Sequence, residues 1–199
     1  ITGRTAIVRF RSADQTRPLL ASSDILIDAL LGTGLSSVVT GAYREAIDLI
    51  NNAGKPIVAV DIPSGLHADT GAVLGQAIHA TLTITCGLPK LGLYVDAGID
   101  HAGAVRVADI GIPPAYVDAI ESRTMLLTHD SACQSLPTRK LSSHKGTFGH
   151  AGIIAGSVGK TGAAALAARA ALRIGAGLVT VATPNSVNDV LEAKLLEAM

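Results

Sequence analysis

Asp28, Asp61 and Ser64 are of types and at positions that could do chemistry. Asp28 lies in the apolar run Ile25-Leu26-Ile27-Asp28-Ala29-Leu30-Leu31, which leads into Gly32-Thr33-Gly34. Asp61 closes Pro56-Ile57-Val58-Ala59-Val60 and leads into Ile62-Pro63-Ser64-Gly65. Each run reads as a fully buried strand that delivers an acid and a polar or glycine-rich loop to one edge of a sheet. In open parallel sheets that edge binds ligands. A buried carboxylate is costly when unpaired, so an ion, a donor or a substrate is expected to meet each acid. Ser64 is expected to bring its hydroxyl near Asp61, and an acid with a hydroxyl can hold a cation or pass a proton. The same residues also read as a capped turn whose carboxylate serves local amides. Asp28 on a neighbouring strand favours the functional reading.

Two glycine-rich loops add less specific information. Gly32-Thr33-Gly34-Leu35-Ser36-Ser37 approaches a dinucleotide fingerprint, but Ser37 stands where its third glycine would be. Such a loop serves equally as a turn leaving the strand or as a contact to phosphate or nucleotide. Gly156-Ser157-Val158-Gly159-Lys160-Thr161 fails as a Walker motif, because Ile154 occupies the required glycine position. What survives is a strand-to-helix turn with Thr161 as the expected helix cap. Its free N–H groups either meet an anion or close a tight turn beside a solvated lysine.

These loops need strands and helices to hold them, and the two alternate along the chain. Strands are expected at Thr5–Phe10, Ile25–Leu31, Ile57–Val60, Ala80–Cys86 and Ala104–Ile110. Ala46, Leu49, Ile50 and Ala53 predict a helix over Gly41–Ala53, stopped by Gly54-Lys55-Pro56. Strands separated by helix-sized connections indicate a parallel α/β sheet. After Pro113-Pro114 residues 115–147 are more polar. The rhythm then restarts with strand His150–Ala155, helix Gly162–Ile174, the stop Gly175-Ala176-Gly177, strand Leu178–Ala182 and a helical pattern over Val187–Met199. A boundary near residue 122 gives two domains, 1–122 and 123–199. The start at Ile1 and the uncapped pattern at the end predict an internal piece of a longer protein.

Composition removes several function classes. The formal net charge is +0, only 3% of the 199 residues are aromatic and there is no Trp. Neither an electrostatic footprint for nucleic acid or membrane nor a base-stacking platform is expected. Cys86 and Cys133 show no CxxC spacing, so neither a disulfide framework nor a zinc site is indicated, and a reducing cytoplasm fits. Cys86 is expected as a small core residue. The six histidines show no ligand spacing and none is assigned a metal. No apolar run is long enough to span a bilayer; Ala163–Ile174 is interrupted by Arg169 and Arg173.

Several of these segments resemble a known pair of domains. Asp28-Ala29-Leu30-Leu31-Gly32-Thr33-Gly34-Leu35, Val60-Asp61-Ile62-Pro63-Ser64-Gly65-Leu66 and Leu88-Pro89-Lys90-Leu91-Gly92 resemble the NAD(P)H-hydrate epimerase domain. His144-Lys145-Gly146-Thr147-Phe148-Gly149-His150, Ala155-Gly156-Ser157, Thr161-Gly162-Ala163-Ala164 and Gly175-Ala176-Gly177-Leu178-Val179-Thr180 resemble the start of ADP-dependent NAD(P)H-hydrate dehydratase. The likeness covers about residues 24–114 and 142–185, in the order of the fused bifunctional enzyme.

That resemblance implies a Rossmann-like three-layer parallel sheet, truncated at its N-terminus, followed by the start of a ribokinase-like α/β domain. It implies repair of NADH or NADPH hydrated on the nicotinamide ring: epimerisation of the R and S hydrates, then ADP- or ATP-dependent dehydration of the S hydrate. By similarity Asp28 and Ser64 would hold a potassium ion. Gly32, Thr33, Gly34, Leu35, Ser36, Ser37, Val38 and Asp61 would contact the hydrated nucleotide, with Asp61 a candidate catalytic acid/base. Ala163 would contact substrate through its backbone. A homo-oligomeric, cytoplasmic enzyme is expected. The family's Asn/Gly-rich loop and its Gly-Thr-Gly-Asp segment find no match, so these 199 residues alone are expected to have little or no activity.

Three other readings compete. A nicotinamide-dependent oxidoreductase would need an acid at a strand end about 20 residues after the glycine loop, and Asp48 falls in the expected helix instead. A ribokinase-like small-molecule kinase leaves residues 24–114 unexplained. A non-catalytic nucleotide-binding protein has less reason to combine Asp28, Asp61 and Ser64.

Overall fold

The computed structural model describes Phe10, residues 13–122 and residues 124–199. The expected strand Thr5–Phe10 lies, except for Phe10, outside the described residues. The chain divides into two compact units between Thr124 and Met125.

The first unit is built on a parallel four-stranded sheet in the order β1 (Leu26–Asp28), β2 (Ile57–Val60), β3 (Leu82–Cys86), β4 (Ala104–Ala108). Helix α1 (Ala13–Ala21) precedes β1, α2 (Gly41–Asn51) links β1 to β2, and α3 (Gly98–Ala102) leads into β4. The β2–β3 connection contains no helix. Its chain folds on itself through the bridge Leu66↔Val73 and through bonds such as Ile78 N–H to the Ser64 carbonyl, 2.9 Å.

Sequential strand order has a consequence for burial. Right-handed crossovers taken in one direction put every connection on the same face. Leu26, Asp28, Ile57, Ala59, Thr83 and Thr85 all lie on that face and are buried. The alternate residues face the other way: Ile27 is 70% exposed, Val60 42% and Ile84 39%. The expectation of fully buried strands is therefore corrected. Among the described residues the helices of this unit cover one face, and the period-2 alternation leaves the second face apolar and open. The expected strand Ile25–Leu31 also shortens to Leu26–Asp28, because the chain leaves the ladder at the acid.

The covered face packs in two clusters. Leu26, Val39, Ile47, Ile57, Ala59, Ile78 and Ala80 meet α1 and α2, with Leu20, Ile50 and Ala53 packed against them. Ile47 is wholly buried, so the inward stripe of α2 is centred on it rather than on Ala46. Gly54, at φ 66°, follows the helix as expected of a stop. Ile62, Leu66, Ala68, Leu93 and Ala102 form the second cluster under the long connection.

The second unit contains a parallel pair, β5 (His150–Ile154) and β6 (Leu178–Ala182), joined by α6 (Thr161–Ile174). Ala164, Ala165 and Ala168 give α6 a flat face that packs near Val179, Val187 and Leu191. Lys160, not Thr161, is the N-cap; the Thr161 hydroxyl instead accepts from Lys194 Nζ at 2.8 Å. The pattern Val187–Met199 is helical only over α7 (Asn188–Glu192). Beyond it the chain runs alongside β6, where Met199 N–H bonds the Val179 carbonyl at 2.8 Å. The polar stretch after β4 is not plain linker: it holds the short helices α4 (Pro114–Asp118), in the first unit, and α5 (His129–Ser135), in the second, the latter closed by a Thr128–Ser131 capping box. No helix among the described residues is long and apolar enough to cross a membrane.

Candidate functional site

The C-terminal ends of β1, β2 and β3 bring the acids to one edge of the sheet, as parallel pairing requires. Asp28 is the last residue of β1 and has no exposed surface. Its Oδ2 accepts from Ser64 N–H at 2.8 Å, and its Oδ1 accepts from Ser64 Oγ at 2.6 Å and Leu30 N–H at 3.3 Å. Ser64 Oγ in turn accepts from Leu31 N–H at 2.8 Å. One buried hydroxyl thus joins the end of β1, the Pro63-Ser64-Gly65 turn and the base of the Gly32–Val38 loop. The expectation that Ser64 serves Asp61 is corrected: the turn carries its hydroxyl back to Asp28.

Gly65 makes that return possible. Its φ is 95°, and a Cβ there would lie 1.9 Å from the Gln76 carbonyl oxygen. Gly65→Ala is therefore expected to lower the unfolding free energy by about 1–3 kcal/mol, from backbone strain alone, as read by urea unfolding. An unchanged midpoint would remove the turn from this account.

Asp61 lies one residue past β2, with φ 70°, a left-handed angle unusual for any residue but glycine. Its N–H still bonds the Ile84 carbonyl at 2.8 Å, so the strand ends in a kink that turns the side chain toward the end of β3. There Oδ1 accepts from Cys86 N–H at 2.9 Å, Thr85 Oγ1 at 3.2 Å and the Lys90 ammonium. Among the described residues Oδ2 accepts none, and the side chain is 26% exposed. Partial burial on its own would raise the Asp61 pKa. The Cys86 N–H, the hydrogen bond and charge of Lys90 and the Thr85 hydroxyl outweigh it and hold the carboxyl below the ordinary aspartate value.

Lys90 and Thr85 are the residues sequence reasoning missed. Lys90 stood inside the Leu88–Gly92 motif, but no spacing rule links a lysine to an acid so far upstream. Only parallel pairing of β2 with β3 brings them together. Cys86, expected in the core, is half-buried and contributes its backbone N–H.

The Gly32–Val38 loop is largely exposed, with Leu35 half-buried. Because β1 ends at Asp28 and α2 starts only at Gly41, the tight strand–turn–helix of a dinucleotide fingerprint is not formed. Asp48 lies within α2. In the second unit Ala163 is exposed in the first turn of α6, among the positions whose N–H has no intrahelical acceptor.

The donor chemistry at Asp28 is compatible with a hard cation. The carboxylate is fully buried, and among the described residues its partners are two backbone N–H groups and a hydroxyl, with no cationic side chain bonded to it. The Leu31 carbonyl lies 3.2 Å from Ser64 Oγ. An oxygen-only set with an uncompensated negative charge suits a hard cation. No group of three or more His, Cys, Asp or Glu side chains forms a metal set among the described residues.

Comparison with known proteins matches residues 4–92 to the family described as YjeF-related protein N-terminus, and residues 151–199 to that described as NAD(P)H-hydrate dehydratase. Curated relatives align over most of this chain. A protein of Moorella thermoacetica named bifunctional NAD(P)H-hydrate repair enzyme Nnr is 46% identical over 180 residues, covering 90% of this chain and 34% of its own length. The protein of that name from Coxiella burnetii is 43% identical over 166 residues, 83% of this chain and 34% of its own. That of Thermofilum pendens is 39% identical over 180 residues, 90% and 34%. The chain spans about a third of the length of these relatives.

Proposed function

We propose, for a chain whose residues 4–92 match the YjeF-related N-terminal family and residues 151–199 the NAD(P)H-hydrate dehydratase family, a role in repairing hydrated nicotinamide nucleotides. The observation that carries this reading is the succession of the two segments in one chain, in the order of the bifunctional relatives. Residues 1–122 would serve epimerisation of the R and S hydrates of NADH or NADPH. Residues 123–199 would contribute to ADP- or ATP-dependent dehydration of the S hydrate. The enzyme would be a cytoplasmic homo-oligomer with no nucleic-acid or membrane partner.

The first site supports this chemistry. The reacting carbon is a carbinolamine, whose configuration exchanges when its hydroxyl leaves and returns or the ring opens and closes. Loss of the hydroxyl puts positive charge on the ring. Asp61 Oδ2, which accepts from no described residue, lies at the sheet edge and is suited to face that charge. Gly32–Val38 and Asp61 would contact the nucleotide, and Ala163 would offer its N–H in the dehydratase segment. Asp28 and Ser64 would hold a potassium ion, whose charge, when bound, balances the buried carboxylate and can attract a pyrophosphate. The chain's own share of that task is the Ser64 hydroxyl, which ties the loop base to Asp28.

The test is direct. The full-length polypeptide carrying this segment is given purified R and S hydrates without nucleotide, then with ADP or ATP. Interconversion in the first arm and recovery of NAD(P)H in the second are expected. Equilibration no faster than in buffer overturns the epimerase assignment.

A further inference from the structure

Lys90 does more than neutralise Asp61. Its Nζ donates to Asp61 Oδ1 and, at 2.8 Å, to the Cys86 carbonyl. An ammonium has three donors, so among the described residues one N–H is left over, on a side chain 21% exposed and next to Asp61 Oδ2, which accepts from none of them. The backbone around it is anchored: Leu93 N–H bonds the Lys90 carbonyl at 3.1 Å, and Gly92 N–H bonds the Ala68 carbonyl at 2.6 Å. A free donor and a free acceptor of opposite charge therefore stand side by side at the ligand edge, on rigid supports.

Resting on the epimerase reading, that pair answers a specific demand. Hydroxide leaves carbon poorly, so departure of the ring hydroxyl needs an acid. Asp61, held ionised by its three donors, cannot supply the proton at neutral pH. We infer that Lys90 is the proton donor of the epimerisation. Its spare N–H passes to the hydroxyl oxygen as the C–O bond breaks, and water leaves. The bonding pair goes with the oxygen, and the ring nitrogen's lone pair forms the iminium. Positive charge has then moved from Lys90 to the ring, and Asp61 keeps a counter-ion throughout. Water adds to the opposite face of the same carbon and gives up one proton to solvent, from which the Lys90 amine is reprotonated. Nothing is oxidised or reduced, and no proton is gained or lost.

The experiment compares Lys90→Arg, Lys90→Met and Lys90→Ala in the full-length polypeptide with the hydrates as substrate. Arginine keeps the charge opposite Asp61 but does not give up a proton. Both Lys90→Arg and Lys90→Met are expected to lower kcat by about 10²-fold or more, with KM within about threefold. Methylammonium is expected to restore part of the Lys90→Ala rate, and tetramethylammonium none. An arginine variant within about threefold of the parent kcat overturns the inference, since Lys90 would then only position Asp61. Equal rescue by both ammonium ions overturns it too. A parent enzyme that does not epimerise overturns the functional reading itself, and this role with it. Arginine keeps its place even where methionine costs stability, so the comparison stands if Lys90→Met fails to fold.

Discussion

Asp61→Asn is expected to lower the kcat of epimerisation by about 10²–10³-fold, the size of effect seen when one preorganised electrostatic group is removed. Asparagine keeps the shape and one acceptor oxygen, so Cys86 N–H and Thr85 can still be served. What disappears is the negative charge that the free Oδ2 presents to the ring, and with it the counter-ion of Lys90. The loss should therefore fall on kcat more than on KM. Assay of the full-length variant with purified hydrates reads this directly. A kcat within a few-fold of the parent would place the reacting ring elsewhere.

The titration of Asp61 carries a second expectation. Three donors converge on Oδ1 and overcome the penalty of burial, so the folded pKa lies below the ordinary aspartate value. A group depressed in this way stabilises the fold above its unfolded pKa, and that contribution is lost as pH falls through the folded value. At neutral pH the carboxylate is charged and serves as acceptor, not as proton donor. Carbon NMR of the Asp61 carboxyl should show a midpoint under that value. A midpoint above the ordinary aspartate value would show that these donors do not outweigh burial, and one near neutrality would return Asp61 to the role of acid.

Much of this was legible in the sequence because it rests on local pattern. Ile57–Val60 and Leu178–Ala182 form the strands their β-branched runs indicate, and α2 begins at Gly41 as expected. The position of Asp61 just past a strand end followed from its run, whereas Asp28 was expected inside a strand reaching Leu31 and ends one instead. What was not legible depends on contacts between distant segments. The Lys90–Asp61 pair needs β3 beside β2, and the Ser64–Asp28 bond needs the Gly65 turn to fold back across β1. The open sheet face could not be read from Ile27, Val60 and Ile84 themselves. Apolar residues on both faces of a strand indicate burial, whereas exposure here follows from one-directional crossovers.

Asp28→Ala is expected to be the most destabilising change at the sheet edge, at about 3 kcal/mol, the upper range for leaving a buried hydrogen-bonding group unpaired. The substitution strands Ser64 N–H in a place without solvent, removes the acceptor of Leu30 N–H and leaves Ser64 Oγ with only its Leu31 partners. Ser64→Ala should cost less, since the Ser64 backbone N–H continues to bond Asp28 Oδ2. It should, however, free Leu31 and the loop that follows, raising KM for the hydrates more than it lowers kcat. The two changes share one bond, so their effects should not add. A double-mutant cycle by urea unfolding is expected to give a coupling of about 1.5–3 kcal/mol, as for a hydrogen bond to a charged group. The proposed ion makes the same pair sensitive to the cation in solution. The parent should unfold at higher urea in potassium chloride than in choline chloride of equal ionic strength, and Asp28→Ala should abolish that difference. A potassium effect that survives in Asp28→Ala would place the ion elsewhere and leave Asp28 and Ser64 as a purely structural clamp between β1 and the Pro63–Gly65 turn.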